Sequence, residues 1–429
     1  MTERFAVTYH VRSDPASIEA RAQSIAVEQS VEMPLAGIDD PEVLADIAGK
    51  VEQIDDIGNG TFAVRIGLAL ATVGDDPGQL LNMLFGNTSL HEDVILRDAD
   101  IPAPRHPAGT PELRRRLGVP SRAFTGSALK PQGLAPERLA LLAERFALGG
   151  LDFIKDDHGL ADQAYSPFAV RVPMIADAVA CATRSTGHPT RYIPSLTGDL
   201  DAMRTQAGIA RDHGLDCMMV APMIAGFASV RALIRAFPEV IFFAHPSMGG
   251  AARIAPELLI GKLFPALGCG AVIFPTYGGR FGYSPATCRE LAGNARPALA
   301  VPAGGITLDR VTELLDFYSP DTMLLIGGSL LLAKDRITEA SAAFAGAVAR
   351  HGKGYQWTLN NRPTSGPLLT RSDGTASRIN RTSRTARLHS RTSPARCCST
   401  TMRWPANCAI SRWTQGVSPA WNATSTPMP

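Results

Sequence analysis

Four ionisable residues stand in a row at Lys155-Asp156-Asp157-His158, directly after the apolar residues Leu151, Phe153 and Ile154. Such a cluster at the end of an apolar strand cannot be buried unpaired without a large desolvation cost. Its members must serve one another, water or a metal. Carboxylate and imidazole together suit a divalent cation, and oxygen-rich sets favour magnesium. A solvated, charged turn would explain the same four letters. The surroundings decide between the two. Lys130 follows the run Phe124 to Leu129, and His245 follows Ile241 to Ala244. Glycine pairs follow two further apolar runs, Gly304-Gly305 and Gly327-Gly328. Bare backbone of that kind lets N–H groups approach an oxyanion, although tight turns also use it.

Positioning these residues needs a repeated element. Short apolar runs recur at Phe124 to Leu129, Leu151 to Ile154, Tyr192 to Ser195, Cys217 to Val220, Ile241 to Ala244, Ala271 to Phe274, Ala298 to Val301 and Met323 to Ile326. Amphipathic stretches lie between them, such as Pro136 to Ala147, Asp199 to His213, Ala228 to Phe237 and Leu308 to Phe317. Eight strands alternating with helices predict an α/β chain with a (β/α)8 TIM barrel, whose catalytic groups project from the C-terminal strand ends. Lys130, the Lys155 cluster, His245, the loop Tyr277-Gly278-Gly279-Arg280 and both glycine pairs all fall at such ends. In barrels the ends of strands seven and eight commonly hold phosphate.

The barrel is expected over residues 106–355, preceded by a small α+β, ferredoxin-like domain over 1–105. The latter is read from alternating strands at Phe5 to Val11 and Thr61 to Leu68, and from helical stretches at Pro15 to Glu28 and Pro77 to Phe85. Residues 360–429 break the pattern. They hold ten Arg, one Asp and no Lys or Glu, a net of +9 that leaves residues 1–359 at −7. This basic tail reads as disordered or as an out-of-frame stretch, and no function is assigned to it. A whole-chain charge of +2 favours no polyanion, so no nucleic-acid partner is expected. No apolar run approaches the ~20 residues of a membrane span, and no signal peptide is visible. Seven cysteines without CxxC spacing suggest neither zinc nor a disulfide framework, so a cytoplasmic location is expected.

Over residues 3 to 350 the chain resembles the RuBisCO superfamily of large-chain type. Gly126-Ser127-Ala128-Leu129-Lys130-Pro131, Gly149-Gly150-Leu151-Asp152-Phe153-Ile154-Lys155-Asp156-Asp157, His245, Ala303-Gly304-Gly305 and Ile326-Gly327-Gly328 carry the likeness. The resemblance implies Mg2+ held through a carbamylated Lys155, with Asp157 as second ligand. His158 stands where the family has a glutamate, which makes the site less anionic. It also implies a homodimer, in which Glu28 and Asn87 of a second subunit complete each site. Three departures stand out. Carboxylating members hold a second phosphate with groups that are replaced here by Pro246, the apolar Ile273-Phe274 and Ala303. The second lysine of their strand-one motif is Gln132. Their mobile loop is replaced by Gly278-Gly279-Arg280-Phe281. The chain therefore looks like a RuBisCO-like protein of form IV, non-carboxylating, acting on a sugar monophosphate.

Metal-assisted enolate chemistry is the activity this resemblance implies. Lys130, Lys155 and His245 are the candidate catalytic residues, and Gln132 and Arg280 the candidate substrate contacts. The reading placed first is decarboxylation, or hydrolytic decarboxylation, of a β-keto sugar-acid phosphate of the 3-oxo-isoapionate 4-phosphate type, with Arg280 taking the carboxylate. The second is an enolase or isomerase of methylthioribulose 1-phosphate in methionine salvage. A third, from another class, is an inactive ligand-binding or regulatory relative.

Overall fold

The computed structural model describes residues 3–101 and 109–360, with the side chains of 353–360 left aside. The linker prolines at 102, 104 and 107 and the basic tail beyond 360 lie outside the described residues. The N-terminal part is a four-stranded antiparallel sheet of β1 (Arg4–Arg12), β2 (Lys50–Gly58), β3 (Thr61–Ala69) and β4 (Val94–Ala99), ordered β2-β3-β1-β4. Helices Ile18–Glu28 and Pro77–Phe85 accompany it. Val7, Tyr9, Val64 and Ile66 alternate inward from β1 and β3 and are fully buried. β2 is mostly exposed, so the alternation that reveals a half-buried strand is missing from its sequence.

The barrel strands are β5 (Phe124–Leu129), β6 (Phe153–Asp156), β7 (Arg191–Ile193), β8 (Cys217–Val220), β9 (Ile241–Ala244), β10 (Ala271–Pro275), β11 (Leu299–Ala303) and β12 (Met323–Leu325). All paired neighbours are parallel, and β12 pairs with β5. The seam between β7 and β8 is closed by Met219 N–H donating to Pro194 O and Leu196 N–H donating to Met219 O, both 2.8 Å. Strand two extends two residues beyond the expected apolar run, so Lys155 sits on the strand itself.

Phe124, Phe153, Ile193, Met219, Phe243, Ile273, Val301 and Met323 fill the interior. The rings of Phe124 and Phe153 meet edge-on at 5.6 Å, and Phe153 lies 5.7 Å from Phe243. Removing such a ring costs about 3–5 kcal/mol. Helix Thr110–Leu117 plugs the N-terminal end with Leu113 and Leu117. The barrel is therefore a packed core, and only one end is left for chemistry. Among the described residues no helix is long and apolar enough to cross a membrane.

Candidate active site

Side chains on a strand alternate between two faces, so the interior positions can be counted. From Phe124 the inner face of β5 continues through Gly126 and Ala128 to Lys130. From Phe153 that of β6 continues to Lys155 and Asp157. From Ile241 and Phe243 that of β9 reaches His245. Parity alone brings three charged or polar groups from two adjacent strands, together with an imidazole from across the barrel, to one mouth.

There they touch. Lys130 Nζ lies 3.0 Å from Asp157 Oδ1, and His158 Nδ1 lies 3.3 Å from the same oxygen. The rings of His158 and His245 stack at 4.4 Å with an 11° tilt. Lys155 is 4% exposed, and its Nζ donates to Asp156 O at 2.8 Å. Burial pushes the Lys155 amine down to about 8; Lys130 lowers it further and Asp157 opposes. Burial alone would raise the Asp157 carboxyl, but its bonds to His158 and Lys130 win and hold it well below the carboxylate range. Burial, with Lys155 and His158 beside it, lowers His245 to about 2, so its ring is neutral at working pH.

The two other aspartates of the motif do different work. Asp156 points away from the barrel interior and is fully buried. It accepts from Tyr192 Oη at 2.7 Å, from Ser195 N–H at 3.1 Å and from Arg171 Nη2 at 3.3 Å. Arg171 is itself fully buried and also donates to Ala161 O and Ser166 O. This buttress behind Lys155 was not found by sequence reasoning. An arginine among Phe168, Val172 and Ile175 on one helix was the available signal. Asp152 lies at the opposite end of the strand, clamped by Arg122 at 2.7 Å through both oxygens and by Thr125.

The glycine pairs differ from each other. Gly304 and Gly305 have φ of 73° and 121°, which favours glycine. A Cβ on Gly305 would meet Gly279 Cα at 2.6 Å, and one on Gly279 would meet Gly304 O at 1.9 Å. The loop after β10 therefore packs directly on the turn after β11, and this close approach leaves no room for a side chain at Gly279 or Gly305. Arg310 clamps the loop, donating to Gly305 O at 3.1 Å and Tyr277 O at 3.3 Å while pairing with Glu313. A Cβ on Gly327 or Gly328 would meet nothing within 4 Å. The open bare backbone at the mouth is there.

Of the remaining expected residues, Gln132 lies against the loop after His158: a Cβ on Gly159 would fall 1.6 Å from Gln132 Nε2. Arg280 lies over the exposed ring of Phe281, 4.8 Å from its centroid. Glu28 and Asn87 are brought together on the N-terminal domain, Asn87 Nδ2 donating to Glu28 Oε1 at 2.9 Å.

Among the described residues no group of three His, Cys, Asp or Glu side chains is placed to hold a metal. Asp157 and His158 supply two donors, and Lys155 as an ammonium would repel a cation. The set would reach three if the Lys155 amine added CO2, which forms an N–C bond and releases a proton. A buried amine titrating near 8 leaves roughly a tenth as free nucleophile at pH 7. The residues fit a divalent cation on that condition.

The model of the ribulose bisphosphate carboxylase large chain, catalytic domain, matches residues 109–257. The 5-methylthioribulose-1-phosphate isomerase of Rhodospirillum rubrum is 54% identical over 363 residues, covering 81% of this chain and 97% of its own. Ribulose bisphosphate carboxylase-like protein 1 of Rhodopseudomonas palustris is 54% identical over 369 residues, 82% of this chain and 100% of its own. A crystal structure of a RuBisCO-like protein from Rhodopseudomonas palustris superposes with a TM-score of 0.76 at 46% identity, covering 82% of this chain and 99% of that one. With likeness of this order along nearly the whole length of those proteins, the chain belongs to the ribulose bisphosphate carboxylase large-chain family, within its RuBisCO-like branch.

Proposed function

We propose that this chain is an isomerase that enolises 5-methylthioribulose 1-phosphate or a near analogue. The observation that carries the reading is the buried Lys155, titrating near neutrality beside Lys130, Asp157 and the neutral His245. The isomerase name of the relative from Rhodospirillum rubrum supports the substrate. The β-keto acid decarboxylation read first from the sequence is less well supported. It relied on Arg280 for a substrate carboxylate, whereas the relatives named above support an isomerase and none a decarboxylase.

An isomerisation of this kind takes a proton from a carbon beside the ketone, holds an enediolate, and returns a proton to a different carbon. Carbamylated Lys155, Asp157 and His158 would hold Mg2+, which when bound polarises the carbonyl and neighbouring hydroxyl. Lys130, whose Nζ lies 3.0 Å from Asp157, is the candidate for moving a proton to or from the substrate. His245, neutral, offers a hydrogen bond rather than a charge. The uncrowded backbone at Gly327 and Gly328 takes the single phosphate. The functional unit is a homodimer, with the Glu28–Asn87 pair of one subunit placed over the mouth of the other.

Incubating the purified chain with 5-methylthioribulose 1-phosphate, Mg2+ and bicarbonate tests this by proton and phosphorus NMR. A new ketose phosphate of unchanged mass is expected. CO2 release from a β-keto sugar-acid phosphate, with no turnover of the methylthio sugar, would overturn it in favour of the decarboxylase.

A further inference from the structure

The turn after β9 does more than carry His245 to the mouth. Ser247 N–H donates to His245 Nδ1 at 3.2 Å, and Ser247 Oγ lies 2.8 Å from the same nitrogen. A backbone N–H can only donate, so Nδ1 must present its lone pair. The hydroxyl can rotate to either role, and the amide cannot, so the amide decides. In the neutral ring the hydrogen is then on Nε2. The turn is built to keep that amide in place. Gly249 N–H closes back on Pro246 O at 2.9 Å, and a Cβ on Gly249 would fall at the same separation from that oxygen. Met248 between them has a φ of 64°, a left-handed conformation that is unfavourable for a non-glycine residue. Such strain is retained where the surrounding structure holds a functional group. On the far side the ring stacks on His158, and among the described residues Nε2 makes no hydrogen bond.

We propose that Ser247 is a positioning residue that locks His245 as the Nε2–H tautomer, so that His245 donates a hydrogen bond to the oxygen where negative charge develops and does not act as a base. The identity of that oxygen rests on the enolisation reading. The tautomer does not. A donor aimed at developing charge stabilises the enediolate without itself changing protonation state.

The test uses the full chain labelled with 15N-histidine and free of substrate, with the His245 signals identified by their loss in His245→Gln. Long-range 1H–15N correlation is expected to show an unprotonated Nδ1 and a protonated Nε2. A protonated Nδ1 overturns the proposal, whatever the substrate proves to be. Ser247→Ala keeps the amide, so the Nε2–H signature persists. Ser247→Pro removes the N–H, so the two tautomers mix: a protonated Nδ1 signal is expected beside the Nε2–H one, and kcat falls about twofold with KM little changed. Should Ser247→Pro fail to fold, the wild-type spectrum still decides, together with a second pair. A glutamine amide nitrogen can stand in for Nε2–H and an asparagine one for Nδ1–H. His245→Gln should therefore retain about tenfold more activity than His245→Asn; the reverse order overturns the proposal. A correct tautomer with no turnover of the methylthio sugar would sink the substrate assignment and leave this inference standing.

Discussion

Lys155 is held at a cost that can be measured. Its amine titrates at about 8 instead of 10.5, because burial outweighs the attraction of Asp157. Each pKa unit corresponds to about 1.4 kcal/mol, so keeping this charge buried costs the folded state about 3 kcal/mol. Here the pKa of a base is depressed on folding. The penalty is therefore complete below pH 8, fades as pH rises and the folded protein sheds its proton, and is gone above the ordinary lysine value. Lys155→Met keeps the length and volume of the side chain and removes the charge. In CO2-free buffer at pH 7 it should stabilise the fold by about 2–3 kcal/mol, and with Mg2+ and bicarbonate present it should show no turnover. The gain should shrink steadily between pH 8 and 10.5. Urea midpoints at unchanged m-value, taken for both proteins across that range, provide the comparison. A variant no more stable than wild type at pH 7, or a difference that ignores pH, would refute the reasoning. Bicarbonate should narrow the gap at neutral pH, since a carbamate no longer pays for a buried ammonium.

Other outcomes follow from the same geometry. Lys130→Met should lower kcat by about a hundredfold or more while leaving the fold intact, because it removes a proton carrier from a half-exposed position; steady-state kinetics and circular dichroism together check this. Gly305→Ala should disrupt the loop after β10, because the added Cβ would fall 2.6 Å from Gly279 Cα; faster proteolysis at 276–282 and lost activity are expected. Asp152→Asn should cost about 3 kcal/mol, since Arg122 loses its paired carboxylate far from the chemistry. The Asp152 carboxyl is depressed by Arg122 and His188 against the pull of burial. Its contribution is thus present at neutral pH and lost as pH falls below the carboxylate range, so the deficit of the variant should close in acid. Unfolding curves at both pH values measure it.

The barrel was legible because each strand is a short apolar run recurring between amphipathic stretches, and the mouth because side-chain parity needs nothing beyond the sequence. Counting by twos from Phe153 is enough to bring Lys155 and Asp157 to one face and send Asp156 to the other. What Asp156 does there was not legible. Its partners Arg171, Tyr192 and Ser195 come from a helix, a strand and a loop, and only the packed fold brings them together. The two glycine pairs read alike as letters. Their difference depends on where a third loop runs: Gly279 lies on Gly304-Gly305, while nothing lies on Gly327-Gly328. Asp152 sits in the same motif as Lys155, but it precedes the strand and so falls at the opposite end. Glu28 and Asn87 were named through resemblance, and their direct hydrogen bond depends on the turn after Phe85. The edge strand β2 escaped because exposure on both faces erases its alternation.

The central step is proton abstraction beside a ketone at the mouth of β5, β6 and β9. Solvent exchange reads that step whatever product is finally released. In D2O with Mg2+ and bicarbonate, the wild-type chain should introduce deuterium into 5-methylthioribulose 1-phosphate or its isomer at a carbon next to the carbonyl, and Lys155→Ala should introduce none. Absence of deuterium with the wild-type protein, or equal incorporation by the Lys155→Ala variant, would contradict the account.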